Sequence, residues 1–182
     1  DKVNPVGEGS FHMNPSEAEK GEYSSTLGFG NKATSYTAHA EGYNATASNY
    51  YSHAEGYYTM ASGNASHAEG NQTTASGLAS HTEGYCTKAS GTGSHAEGDN
   101  TTASGNSSHA EGEYTTASGT NSHAEGVTTN ASGDYSHAEG KKTIASGAGS
   151  HAEGDNTIAS SHGNTSKVNT ILKMLIPLMH TL

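Results

Sequence analysis

A fixed period of 14 residues constrains this chain more than any other feature. The string Ser66-His67-Ala68-Glu69-Gly70 returns, intact or nearly so, in units that begin at Ala38, Ser52, Ser66, Ser80, Ser94, Ser108, Ser122, Ser136 and Ser150. No insertion interrupts them. The consensus unit reads S-H-A-E-G-x-x-T-x-A-S-G-x-x. Repetition this strict implies one small structural unit stacked on copies of itself, each burying the face of the next. Without the repeat the chain would read as disordered. Leu, Ile, Val and Phe number only 16 of 182 residues, and the net charge is −10. Between residues 38 and 163 they are just Leu78, Val127, Ile144 and Ile158, too little apolar area to offset chain entropy in an ordinary core.

Within each unit small residues alternate with larger ones, and a period of two signals strand. Two glycines per unit, with Ser and Thr filling much of the rest, argue against helix. The unit therefore reads as strand, two-residue turn, strand, two-residue turn, which is one coil of a narrow, parallel, all-β solenoid. Ser, Ala, Gly and Thr are expected to face inward, because so tight a coil has no room for more. Coils would stack at roughly 4.8 Å with like residues in register, so nine of them give a rod of about 40 Å. Backbone ladders supply the cohesion, since an Ala/Ser interior removes little apolar surface from water. A chain of this kind needs a partner surface, for which a symmetric oligomer is the usual solution.

The composition excludes several function classes. There is no Arg, and eight Lys do not make a basic stripe, so neither nucleic acid nor an anionic membrane is an expected partner. The single Cys86 allows no internal disulfide and no multi-cysteine metal site. No apolar run approaches the ~20 residues of a membrane span, and the opening DKVNPVGEGS lacks the apolar stretch of a signal peptide. Ser, His and Glu all recur in columns, and no set stands out as a nucleophile with its base. The chain is not expected to be an enzyme, and no cofactor is implied.

The pattern S-x-A-x-G-x-x-T-x-A-x-G resembles the head repeats of YadA-like trimeric adhesins, and the SHAEG…TTASG variant is similar to repeats in phage tail fibres and in surface proteins of low-GC Gram-positive bacteria. The lead-in NPVGEGSFHMN followed by STLGFGNKAT fits the same arrays, so the resemblance covers about residues 4 to 163. It implies a left-handed parallel β-roll, a homotrimer around a common axis, and an extracellular place on a virion tail or a bacterial cell surface. It divides the chain into irregular N-terminal coils (1–37), the regular β-roll (38–163) and a short apolar C-terminal tail (164–182), whose Val168, Ile171, Leu172, Leu175, Met179 and Leu182 have helix-like spacing.

In such heads the first strand of each coil points two alternating apolar residues at the trimer axis. Here those positions hold His39, His53, His67, His81, His95, His109, His123, His137 and His151, each followed two residues later by a Glu, from Glu41 to Glu153. The oligomer seam is therefore expected along His67, Glu69, His95, Glu97, His123, Glu125 and their repeats. Aligning Thr26–Gly30 and Ser10–Asn14 with S-H-A-E-G puts Leu27, Phe29, Phe11 and Met13 in the same two columns as an apolar plug, at irregular spacings of 16 and 12 residues. Three readings of the columns stay open: inter-chain His–Glu pairs that fix register, capture of a metal by the nine histidines, and a pH switch of coupled imidazoles.

Tyrosines crowd the turns of the N-terminal coils. Tyr43, Tyr50, Tyr51, Tyr57 and Tyr58 are the expected contacts for a host-surface carbohydrate or protein receptor. The leading function is a structural, adhesive rod. The alternative is a self-assembling extracellular fibre or a metal-binding surface protein that uses the stacked His/Glu columns.

Overall fold

The computed structural model describes residues 21–167 and the backbone of residues 11–13. Every regular element among them is a β-strand. The chain winds as a parallel β-solenoid with two sheets. A twelve-stranded sheet runs in chain order from Phe11–Met13 and Ser25–Phe29, through His39–Tyr43 and its repeats, to His151–Asp155 and Thr165–Lys167. A ten-stranded sheet, its strands all two residues long, runs beside it from Lys32–Ala33 to Ile158–Ala159. Every pairing is parallel and joins residues 14 apart, as His123↔His137 and Ala131↔Ala145 illustrate. Twelve strands make a rod of roughly 50 Å at the spacing of neighbouring strands.

The interior is as narrow as the repeat predicts. Ala residues at the third and tenth positions, such as Ala54 and Ala61, are fully buried, with Ser66 and its equivalents beside them. The largest fully buried side chains are the eighth-position threonines, Thr59 to Thr143, together with Thr82. From Ser24 to Ser122 the serine at the start of a coil donates its hydroxyl to the carbonyl three residues back, as Ser94 does to Gly91 at 2.8 Å, and so closes the preceding turn. The hydroxyls of Thr73, Thr87, Thr101 and Thr115 are buried without a hydrogen-bond partner.

Two details depart from the expected coil. The second strand is two residues long rather than five, and the chain turns through the left-handed region on either side of it, at the seventh and fourteenth positions, as at Tyr58 and Ala65 (φ 53° each). The fifth-position glycine does not face the interior. Gly98 is exposed at φ 103°, with the carbonyl oxygen of Gly112 only 2.2 Å from where a Cβ would stand. The glycine column marks where successive coils approach too closely for any side chain.

That column also corrects the N-terminal register. Ser25 pairs with His39, Leu27 with Glu41, Gly28 with Gly42, and Phe29 with Tyr43. Leu27 thus lies in the Glu column, not the His column, and Phe29 belongs to neither. Phe11 pairs with Ser25 and Met13 with Leu27, so these coils keep the 14-residue spacing instead of 16 and 12. The alignment failed because STLGFG offers two glycines, and only Gly28, at φ 118° and against the Gly42 carbonyl, occupies the close-approach position. Backbone pairing puts Phe11 and Met13 in the His and Glu columns; their side chains lie outside the described residues. Thr165–Lys167 still ladders onto His151–Glu153, and the rest of the expected tail, from residue 168, also lies outside them.

Candidate functional site

The first strand of each coil alternates a buried Ala with outward His and Glu, so stacking assembles two straight files on one face of the rod. Consecutive imidazoles stand 4.6–4.9 Å apart, close to the coil spacing. From His53 to His151 the rings are nearly parallel, at 3–22°. Most reach back one coil to a carboxylate: His81 to Glu69 (3.2 Å), His123 to Glu111 (3.1 Å), His151 to Glu139 (3.2 Å), with longer approaches for His67 to Glu55 (3.6 Å) and His109 to Glu97 (3.5 Å). Both files are half-buried, each His and Glu side chain keeping about a third of its surface. The Nε2 atoms of His53, His67, His95, His109 and His137 are buried and make no hydrogen bond within the chain.

This packing shifts proton affinities. Burial, aided by the neighbouring imidazoles, holds His53, His95, His109 and His137 below the ordinary histidine value of 6.5 against the opposite pull of nearby carboxylates. Carboxyl groups one coil apart perturb one another. Burial and its neighbours Glu139 and Glu111 push Glu125 up. Hydrogen bonding to Glu125, His151 and Glu153 holds Glu139 down. Burial opposes the shift of Glu111, but hydrogen bonds to Glu97, His123 and Glu125 outweigh it and lower its pKa. Glu111, Glu125 and Glu139 titrate as a coupled set.

Beside the Glu file runs a groove floored by the glycine column. One stretch of about 560 Å³ lies along Leu27, Glu41, Glu55 and Glu69, and the next, of about 480 Å³, along Glu69, Glu83, Glu97 and Glu111. Sets of two imidazoles and a carboxylate, or the reverse, recur along the files with ligand atoms within 4.8 Å of one another, among them His39–Glu41–His53 and Glu83–His95–Glu97.

The N-terminal end of the files differs from the rest. The Oγ atom of Ser25 is hydrogen-bonded to Nδ1 of His39, whose Nε2 lies 3.4 Å from Glu41 in its own coil. The ring of His39 is turned 66° from that of His53. Sequence reasoning missed Ser25, because the misplaced register put Thr26 at the head of that coil; a 14-residue offset from His39 would have found it.

The tyrosines divide between two corners. Phe29, Tyr43 and Tyr57 form a stacked file at 5.3 and 5.4 Å, with Tyr58 edge-on to Tyr57 at 4.6 Å. Tyr57 and Tyr58 line a recess with Gln72. On the opposite corner Tyr36 meets Tyr23 and Tyr51 edge-on, and Tyr50 lies against Tyr51. All of these rings are exposed. Tyr43, Tyr57 and Tyr58 therefore share one surface, and Tyr50 and Tyr51 lie on another.

Among the described residues no helix is long and apolar enough to cross a membrane. The family model for the YadA head domain repeat, which spans two copies of the repeat, matches residues 54–80, 89–108, 96–122 and 138–160. No curated protein matches the chain.

Proposed function

Because this chain is built of YadA head repeats, a structural adhesin unit rather than an enzyme family, we propose that it serves as the rigid head or stalk of an extracellular, homotrimeric adhesive fibre, on a phage tail or a bacterial surface. Heads of this family are typically trimeric and surface-exposed. One observation carries the trimer reading: the His/Glu face is unfinished in a single chain. Five imidazole Nε2 atoms are buried there without a hydrogen bond, and Leu27 at the head of the Glu file is 44% exposed. Polar atoms in that state cost free energy unless a neighbour satisfies them. A second and a third copy would close the groove and cover Leu27 and the half-buried files, where four of the five nitrogens already face a carboxylate of their own chain at 3.5–3.9 Å. The seam would run along Leu27, His67, Glu69, His95, Glu97, His123 and Glu125, with Phe11 and Met13 continuing it toward the N-terminus. Phe29 belongs instead with the aromatic corner.

Mass in solution tests this reading. Light scattering on the full chain should give three times 18.5 kDa at micromolar concentration. A mass of one chain overturns the seam, and a mass that climbs with concentration replaces the closed trimer with an open fibre. The adhesive role rests on the exposed aromatic surface of Tyr43, Tyr57 and Tyr58, with Tyr50 and Tyr51 on the other corner. Rigid amphipathic rings of this kind contact carbohydrate or protein receptors at low entropic cost. On a glycan or cell-binding array, replacing Tyr57 and Tyr58 with Ser should abolish adhesion and leave the mass unchanged; retained adhesion would remove that surface from the function.

A further inference from the structure

We propose that His39, His53 and Glu41 form a binding site for one divalent transition-metal ion of the zinc, nickel or copper class, placed where the histidine file begins. Elsewhere along the file, parallel rings aim successive Nε2 lone pairs along parallel lines, which cannot converge on a single ion. Only at His39 and His53 are the planes turned to 66°, against 3–22° for the other consecutive pairs.

The sequence explains the turn. Each later histidine has a glutamate one coil back, but the residue in that place before His39 is Leu27. His39 therefore approaches the glutamate of its own coil, with Nε2 3.4 Å from Glu41. Ser25, in the His column one coil back, puts its hydroxyl on Nδ1. When an ion takes Nε2 in place of its proton, the ring proton moves to Nδ1 and the Ser25 hydroxyl accepts it, which is how second-shell groups orient a metal-binding imidazole. His53 supplies the second nitrogen. Its Nε2 is buried without a hydrogen bond, its nearest carboxylate being Glu55 at 3.9 Å.

The three ligand atoms lie within 4.8 Å of one another. Ligands on a tetrahedral zinc stand roughly 3.4 Å apart, given bonds of about 2.0–2.2 Å. The His39–Glu41 pair already has that separation, and the His53 ligand atom lies within 4.8 Å of both. Two imidazoles and one carboxylate suit borderline-soft divalent ions better than calcium or magnesium. Glu41 also lines the groove that runs on past Glu55, from which water could complete the shell. All three ligands come from one chain, so the site does not depend on the trimer reading, and a mass measured on the same samples separates the two.

Calorimetric titration of the metal-free full chain with zinc chloride tests the site, with cobalt(II) absorption reporting geometry. The expected result is one ion per chain and a tetrahedral cobalt spectrum. Glu41→Gln, which keeps the side-chain shape, and His53→Gln should each weaken binding by at least tenfold, and Ser25→Ala by about tenfold. His109→Gln, in the middle of the parallel stack, should leave affinity unchanged. Leu27→Glu restores a carboxylate one coil back and should draw His39 into the stack, weakening binding without removing any ligand. Circular dichroism of each variant confirms the solenoid. Absence of binding overturns the proposal, as do several equivalent ions per chain or an equal loss in His109→Gln, both of which mark the file at large rather than its first two members.

Discussion

Gly98→Ala probes the feature on which the narrow coil most depends. Gly98 sits at φ 103°, and a Cβ there would stand 2.2 Å from the carbonyl oxygen of Gly112 and 3.0 Å from its nitrogen. The same carbonyl accepts a ladder hydrogen bond from the Asp99 amide at 2.8 Å. Backbone strain in this region costs roughly 1–3 kcal/mol. Pushing the carbonyl out of reach of Asp99 adds about 0.5–1.5 kcal/mol for the weakened hydrogen bond. A loss of roughly 2–4 kcal/mol per chain follows. Gly149→Ala is the internal control. It too has a positive φ, of 64°, but nothing lies within 4 Å of its Cβ position. Only the left-handed penalty applies there, about 1 kcal/mol. Thermal unfolding followed by circular dichroism reads the difference at roughly 2–4 °C per kcal/mol for a chain of this length. Equal midpoints for Gly98→Ala and Gly149→Ala would refute the claim that close approach between coils, rather than turn conformation, makes the fifth-position glycine necessary.

Other perturbations probe the corners, the interior and the files. Ala79 holds φ 53°, so Ala79→Gly should leave stability level or raise it by roughly 0.5 kcal/mol, the left-handed strain relieved outweighing the entropy lost; a drop of about 1 kcal/mol in denaturant unfolding would refute this. Thr101→Val exchanges a buried hydroxyl that has no partner for a methyl of similar size and should stabilise by roughly 1 kcal/mol, with a lower midpoint counting against it. Stability should also fall with acid. His95, His109 and His137 titrate below 6.5 when folded, so the unfolded chain takes up protons first; their contribution is complete above 6.5 and is lost as pH falls through the depressed folded values. Below that window Glu111 and Glu139, lowered when folded, act in the same direction, and Glu125, raised when folded, acts against them. A melting temperature that stays flat from pH 8 to 4 would remove the His file from the acid response.

The sequence alone determined the path of the chain. A period of 14 with small residues in alternate places leaves one economical solution, a coil whose like residues stack, and the ladders His67↔His81 and Ala103↔Ala117 follow from it. The His and Glu files were legible for the same reason: a fixed period turns position along the chain into position along the rod. What the tertiary structure decided lies where that translation is ambiguous. Two glycines in STLGFG misled the alignment of Leu27 and Phe29, and the contact between Gly28 and the Gly42 carbonyl restored the 14-residue offset. Ring orientation was likewise out of reach. Whether neighbouring imidazoles lie parallel or splay apart depends on the side chains around each ring, and at His39 these include Ser25 and Glu41. A one-dimensional period carries identity and spacing, but it has no term for the direction of a side chain. For that reason the turned His39 ring, its contact with Ser25 and the separation of the tyrosines onto two corners emerged only once the coils were stacked.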